Sequence, residues 1–284
     1  MPRRKRKSRR RGRRSRKFSF QISRKFKKKF SAFVFLAGAA LLAAFFYSLY
    51  HRASVKPPAR LVAKPKIVFV IDDMGNTGAY VEEIKKLQNK VTYSILPMLA
   101  HTQAFNQLSE TTHAEVILHL PLPSVKGTIP GPGLITLAMP DSEVLDVLSR
   151  DLASVPHRVG VNNHMGSLGT SDPRLMDLIL KELKDRGLFF LDSYTTPKTL
   201  GLSIGKKFHL PVLKRDVFLD NEDSQPEIRQ QIDRLAAIAR SKGYAIGIGH
   251  YRFNTLRVLQ DEIPRLEEHG FQVVSLKELL RWKR

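Results

Sequence analysis

Ile67-Val68-Phe69-Val70-Ile71-Asp72-Asp73-Met74-Gly75 is the stretch on which the fold turns. Five successive apolar residues, four of them β-branched, read as a buried strand that stops on two carboxylates and a glycine. The plan recurs downstream. Val116-Ile117-Leu118 runs into His119, and Val159-Gly160-Val161 leads through Asn162-Asn163 to His164. Leu188-Phe189-Phe190-Leu191 ends on Asp192, and Ala245-Ile246-Gly247-Ile248-Gly249 ends on His250. In a sheet or barrel of parallel strands the C-terminal strand ends face one mouth. Five runs that deliver Asp and His to that mouth make a candidate site, one suited to a metal.

Strand candidates are 67–72, 91–96, 115–120, 158–162, 188–191, 211–219, 244–249 and 272–275, with helical patterns between them. Leu175, Ile179 and Leu183 recur at i, i+4 and i+8 behind Asp172-Pro173, a cap followed by a first-turn proline. Ile232, Leu235 and Ile238 repeat the stripe after Pro226. Three helices are expected to leave through glycine, at Gly187, Gly243 and Gly270, where a left-handed residue ends a helix. This alternation predicts an α/β fold with a parallel sheet, open or closed into a barrel, and one domain.

The formal charge of +22 lies outside that part. Residues 1–30 hold 17 Lys/Arg and residues 31–66 five more, with no acid before Asp72. From residue 67 on there are 26 basic and 26 acidic residues, so net charge says nothing about the ligand of the folded part. Ser31 to Tyr50 carries no charge and, as a helix, spans about 30 Å, the thickness of a bilayer's hydrocarbon core. Tyr47 and Tyr50 stand where aromatic rings favour the interface. The positive-inside rule predicts a single-pass inner-membrane protein with its N-terminus cytoplasmic and residues 51–284 periplasmic. A cleaved signal peptide is the competing reading, against which the apolar stretch is long. The basic tail reads as an orientation signal that attracts anionic lipid, ahead of a nucleic-acid contact. The predicted organisation is thus 1–30 basic cytoplasmic tail, 31–50 transmembrane anchor, 51–66 Pro-containing linker and 67–284 folded part. With no cysteine, any metal must be held by oxygen and nitrogen ligands.

A pair such as Asp72-Asp73 reaches one site only where a strand ends and turns, because successive side chains point to opposite faces. One carboxylate then ligates a cation and the other acts as a base. The plain alternative is a cap on a helix starting near Asn76 or Thr77, but capping needs one acid and two repel. His119 stands in an apolar stretch, where a lone histidine is more often a core residue. His164 lies in a polar strand-end loop. His250 follows Gly247 and Gly249, glycines that close packing alone explains. Together with Asp73 these histidines supply a set suited to zinc or a similar divalent ion. Asp192 and Asp220 carry weaker signals, and Arg215 beside Asp216 reads as a structural ion pair. His51, His101, His113, His157 and His209 have no supporting pattern, and His269 suits a helix C-terminus.

At these residues the chain resembles the divergent polysaccharide deacetylase family, relatives of the NodB-like carbohydrate esterases. The resemblance covers roughly residues 67–282. It rests on Ile71-Asp72-Asp73-Met74-Gly75, His119-Leu120-Pro121, Gly160 through Ser167, Leu191-Asp192-Ser193, Arg215 through Asn221 and Gly247-Ile248-Gly249-His250. It implies a distorted (β/α) barrel of about seven parallel strands. It also implies Asp73 as metal ligand, Asp72 as catalytic base and His250 as general acid. His119 matches the first histidine of the relatives' H-x-x-x-H motif, but four residues on stands Pro123, often Glu in the divergent family. His164 is the candidate for the missing ligand. The function implied is a metal-dependent hydrolase of an N-acetylated envelope polysaccharide. The alternatives are a non-catalytic glycan-binding or scaffold protein on the same barrel, and a function residing in the tail.

Overall fold

The computed structural model describes residues 24–54 and 64–283. The chain divides into two units, Met1–Val62 and Ala63–Arg284. In the first, helix α1 (Arg24–Ser54) contains Lys28–Tyr50, a segment long and apolar enough to cross a membrane. Its large apolar side chains, Phe35 and Leu41 among them, are exposed. The helix overruns the expected 31–50 at both ends and takes in residues 51–54 of the expected linker. Residues 1–23 of the basic tail and 55–63 of the linker lie outside the described residues.

The second unit is a parallel sheet wrapped by helices. Its strands are β1 (Lys66–Met74), β2 (Thr92–Ile95), β3 (Glu115–Leu122), β4 (Arg158–Met165), β5 (Phe189–Asp192), β6 (Val212–Lys214), β7 (Val217–Phe218), β8 (Tyr244–His250) and β9 (Gln272–Val273). They run in the order β6-β5-β4-β3-β2-β1-β8-β7, with β9 beside β1. Helices α2 (Val81–Lys85), α3 (Thr102–Thr112), α4 (Asp141–Ser154), α5 (Pro173–Asp185), α6 (Gly201–Lys207), α7 (Gln225–Lys242), α8 (Phe253–Glu268) and α9 (Leu276–Trp282) connect them. This is the distorted (β/α) barrel expected, with nine strands among the described residues where the sequence reads as eight and the resemblance implies about seven. The ninth arises at 211–219, read as one strand. There the chain pairs with β5 up to Lys214, then changes partner: Arg215 N donates to Asp192 O and Asp216 N to Ile246 O of β8. That crossing is the seam of the barrel, and it splits one strand into β6 and β7.

Period-two alternation sorts each strand onto two cores. On β1, Ile67, Phe69 and Ile71 pack outward among the helices, while Val68 and Val70 face the inner core with Ile117, Leu191, Ile246 and Ile248. Leu276 and Leu279 of α9 belong to that inner core, which they plug at the strand N-termini. The five residues Ile67–Ile71 are fully buried, worth roughly 1.5–3 kcal/mol for each Val, Ile or Phe side chain. Parity then fixes the mouth. The inner columns continue from Val70 to Asp72, from Ile117 to His119, from Leu191 to Ser193 and from Ile248 to His250.

Local signals behave as expected at α5, where the Asp172 side chain accepts from Leu175 N and Pro173 opens the helix. Gly187, Gly243 and Gly270 all have positive φ after their helices.

Candidate active site

Asp72 and Asp73 both lie within β1, and α2 starts only at Val81, so neither carboxylate caps a helix. Asp73 has φ 62°, a left-handed conformation that Asp adopts more readily than most residues. That turn breaks the strand alternation and lets two adjacent side chains serve one cavity. Met165 and Tyr194, at the ends of β4 and β5, are left-handed as well. Three strands thus bend at the same rim, where strain commonly gathers at functional sites.

Asp73, His119 and His164 converge. Asp73 Oδ1 lies 3.3 Å from His119 Nε2 and 3.0 Å from His164 Nδ1, and the two ring nitrogens are 3.1 Å apart. A tetrahedral ion with ligand bonds of about 2.0–2.1 Å needs donor atoms about 3.4 Å apart, so the triangle is close to that size. Asp73 Oδ1 is buried with no hydrogen-bond partner, although both rings stand beside it. Burial pushes the Asp73 carboxyl up, but the close contacts with His119 and His164 outweigh it and hold it well below the usual range. These residues fit a divalent metal with one carboxylate and two imidazole ligands.

Asn162 organises the atoms behind this triangle. Its carboxamide oxygen accepts from Ser94 Oγ at 2.8 Å and from His119 Nδ1 at 2.8 Å. Its nitrogen donates to Asp72 Oδ1 at 2.8 Å and to Ser193 Oγ at 3.3 Å. Burial would lower the His119 pKa, but the Asp72 and Asp73 carboxylates and the Asn162 bond raise it.

His250 stands opposite on β8, its Cα paired in register with Asp72. Its Nδ1 donates to Asp220 Oδ1 at 2.7 Å, and Asp220 Oδ2 accepts from His250 N at 2.7 Å and Thr255 Oγ1 at 2.6 Å. Burial works against the charged imidazole, but Asp220 more than compensates and raises His250 to about 9. Burial likewise raises the Asp220 carboxyl, and its bonds and charge contact with His250 reverse this and lower it. Asp72, Asp73, His119, His164 and His250 line one cavity of about 260 Å³, with Phe218 and Met165 at its wall.

All five predicted site residues therefore meet at one mouth. Sequence reasoning undervalued Asp220 and did not single out Asn162 or Ser94. The signal for Asp220 was its place at the end of Val217-Phe218-Leu219. The ion pair expected between Arg215 and Asp216 does not form. Arg215 donates to the Ser193 and Tyr194 carbonyls and stacks 3.5 Å from the Phe218 ring centre, while Asp216 pairs with Lys242 at 2.8 Å. Buried Asp192 spends its oxygens on Tyr194 N and Thr199 Oγ1, a structural role. Packing explains Gly247 and Gly249: a Cβ there would stand 2.8 Å from Leu235 and 2.7 Å from Thr255.

The comparisons with known proteins agree with this geometry. The family model for the divergent polysaccharide deacetylases matches residues 69–280. The chain belongs to that family. An uncharacterised Haemophilus influenzae protein is 32% identical over 219 residues, 77% of this chain and 78% of that protein. The Escherichia coli protein YibQ, also uncharacterised, is 30% identical over 201 residues, 71% of this chain and 63% of its own. A crystal structure of an uncharacterised Agrobacterium tumefaciens protein superposes with a TM-score of 0.74 at 24% identity, covering 78% of this chain and 92% of that one, which shows the common fold. In this member of the family Pro123 does not line the cavity. Its carbonyl accepts from Leu168 N and Gly169 N, and a Cβ on Gly169 would stand 2.9 Å from its ring. The second imidazole reaches the triangle from the neighbouring strand instead, where His164 stands in register with Pro121.

Proposed function

We propose that the chain is a metal-dependent amide hydrolase that removes acetyl groups from an N-acetylated envelope polysaccharide. The observation that carries this reading is the donor triangle of Asp73, His119 and His164 in one cavity with Asp72 and the His250–Asp220 pair. A divalent ion bound there, zinc or a similar metal, would polarise the acetyl carbonyl and lower the pKa of a bound water. The protein's own groups do the rest. Asp72, aimed by the Asn162 amide, takes the proton of the attacking water. His250, held protonated at neutral pH by Asp220, gives a proton to the departing amine. Ser193 and Thr195 on the cavity wall offer hydroxyls for sugar oxygens, and Met165 and Phe218 offer apolar surface for the acetyl methyl.

In this reading the apolar segment of α1 anchors the protein in the inner membrane with the basic tail cytoplasmic, near anionic lipid, and the barrel periplasmic. The test is elemental analysis of the purified full chain after exhaustive dialysis, followed by acetate release from an N-acetylated glycan. Close to one divalent ion per chain, lost in Asp73→Ala and His164→Ala, together with acetate release supports the reading. An ion without acetate release moves the function to glycan binding on the same barrel, and no ion overturns the hydrolase.

A further inference from the structure

The balance of acidic and basic side chains beyond residue 66 hides an uneven distribution. At the end of the barrel remote from the mouth, where the strands begin, a cleft of about 490 Å³ lies among the starts of β4 and β5, the turn after α5, and helix α9. Its floor is apolar, made by Val159, Leu188, Phe189, Pro211 and Leu280. Its rim carries Arg158, Lys184, Lys277 and Arg281, and no carboxylate lines it. Among the described residues none of these four cations is in an ion pair. Arg158 Nη1 donates to the Val155 carbonyl at 3.1 Å, but its Nε is buried without a partner. Burial and the neighbouring Arg186 both work against the Arg158 charge. Four like charges around an apolar floor, one with a buried unpaired donor, leave the site short of an anion.

Two further features select the anion's class. The cleft has an apolar half, which a free inorganic anion would leave uncovered. Beyond the cleft, α9 ends on Trp282, 43% exposed, with Lys66 Nζ 5.8 Å from its ring centre. Lys242 and Lys283 lie over the nearby Tyr244 ring, at 4.0 and 4.5 Å. Aromatic rings among lysines are the composition of a surface that meets lipid headgroups. β1 begins at Lys66, so the chain enters the barrel at this same end.

We propose that this cleft binds the headgroup of an anionic phospholipid, its cations taking the phosphate and its floor the first carbons of the acyl chains. The site shares no residue with the mouth and stands apart from the catalytic reading.

Hydrogen–deuterium exchange on the full chain in lipid nanodiscs tests it, read locally at residues 184–189 and 276–283. Discs containing phosphatidylglycerol are expected to protect both segments relative to phosphatidylcholine discs. Lys277→Gln with Arg281→Gln, exposed positions on α9, removes two cations at about fivefold each and lowers that protection about 25-fold. Lys198→Gln with Lys206→Gln, the same loss of charge elsewhere on the barrel, should leave it unchanged, and the basic tail is constant throughout. Equal exchange in both discs, or protection that survives the α9 double variant, overturns the proposal. So does equal protection in phosphatidylcholine discs by inorganic phosphate, which would mean a soluble anion, or by polyglutamate, which would mean an acidic protein partner.

Discussion

His119 Nδ1 stands 2.8 Å from the carboxamide oxygen of Asn162, and this contact decides which ring nitrogen faces the mouth. The amide orientation follows from its other end: the Asp72 carboxylate only accepts, so the NH2 group must point there and the oxygen must face the imidazole. His119 then carries its proton on Nδ1 and presents the Nε2 lone pair to Asp73 and His164. One buried amide sets a ligand's tautomer and aims the candidate base. Asn162→Ala is expected to lower metal affinity about 10–100-fold while the fold persists. Calorimetric metal titration alongside a thermal melt checks this, and unchanged affinity would remove Asn162 from the site.

The His250–Asp220 pair predicts a pH signature. His250 is raised from 6.5 to about 9, so its contribution to stability is fully present below pH 6.5 and is lost as pH rises through about 9. Asp220 is depressed, so its share is lost as pH falls below the ordinary carboxylate value of 3.8. Asp220→Asn should cost about 2 kcal/mol near pH 6 and much less above pH 9. In an active enzyme the same change moves the alkaline limb of the pH–rate profile from about 9 toward 6.5. Urea unfolding across pH and a rate profile test the two halves separately.

His250→Ala should lower kcat about 10²–10⁴-fold yet leave the metal in place, because His250 is outside the donor triangle. Loss of metal together with activity would make His250 a ligand and overturn the division of roles.

Placing a histidine four residues after His119 should not rebuild the site. In a His164→Ala background, Pro123→His is expected to leave metal binding absent, because position 123 packs on Gly169 and does not line the cavity. Recovery of one ion per chain in elemental analysis would show that β3 can supply both imidazoles.

Asp151 is fully buried on α4 with both carboxylate oxygens unpaired. Burial pushes it up to about 8 against the pull of Arg150. The unfolded chain ionises more easily, so the cost is absent below pH 3.8, grows as pH rises and levels off above about 8. Asp151→Asn should therefore stabilise by about 1–3 kcal/mol at pH 8 and by little at pH 4. Only an isosteric change fits, since a Cβ at Gly133 would already stand 2.5 Å from Asp151 Oδ1. Equal effects at both pH values in urea unfolding would contradict the unpaired carboxylate.

Much of this was legible in the chain because the signals are local. Parity along β1 places Asp72 on the face of Val68 and Val70 whatever the partner strands do. The Asp172-Pro173 start of α5 and the glycine exits at 187, 243 and 270 depend on a few adjacent residues, and each was read correctly. The family followed from motifs in order along the sequence. Asp220 and Asn162 were harder, because their value lies in partners 30 residues away or more: Asp220 with His250, and Asn162 with Asp72, Ser94 and His119.

The sequence alone determined that strands alternate with helices and that Asp and His stand at strand ends. Backbone alternation is a property of one strand and needs no partner. The tertiary structure decided which ends meet. The register of β3 on β4 sets His164 beside Pro121 and next to His119, and the left-handed turn at Asp73 brings its carboxylate to both rings. The crossing at Arg215-Asp216 sets β7 against β8, so that Asp220 reaches His250. Register and seam depend on packing between segments far apart in the chain, and no local pattern of residues encodes those distances.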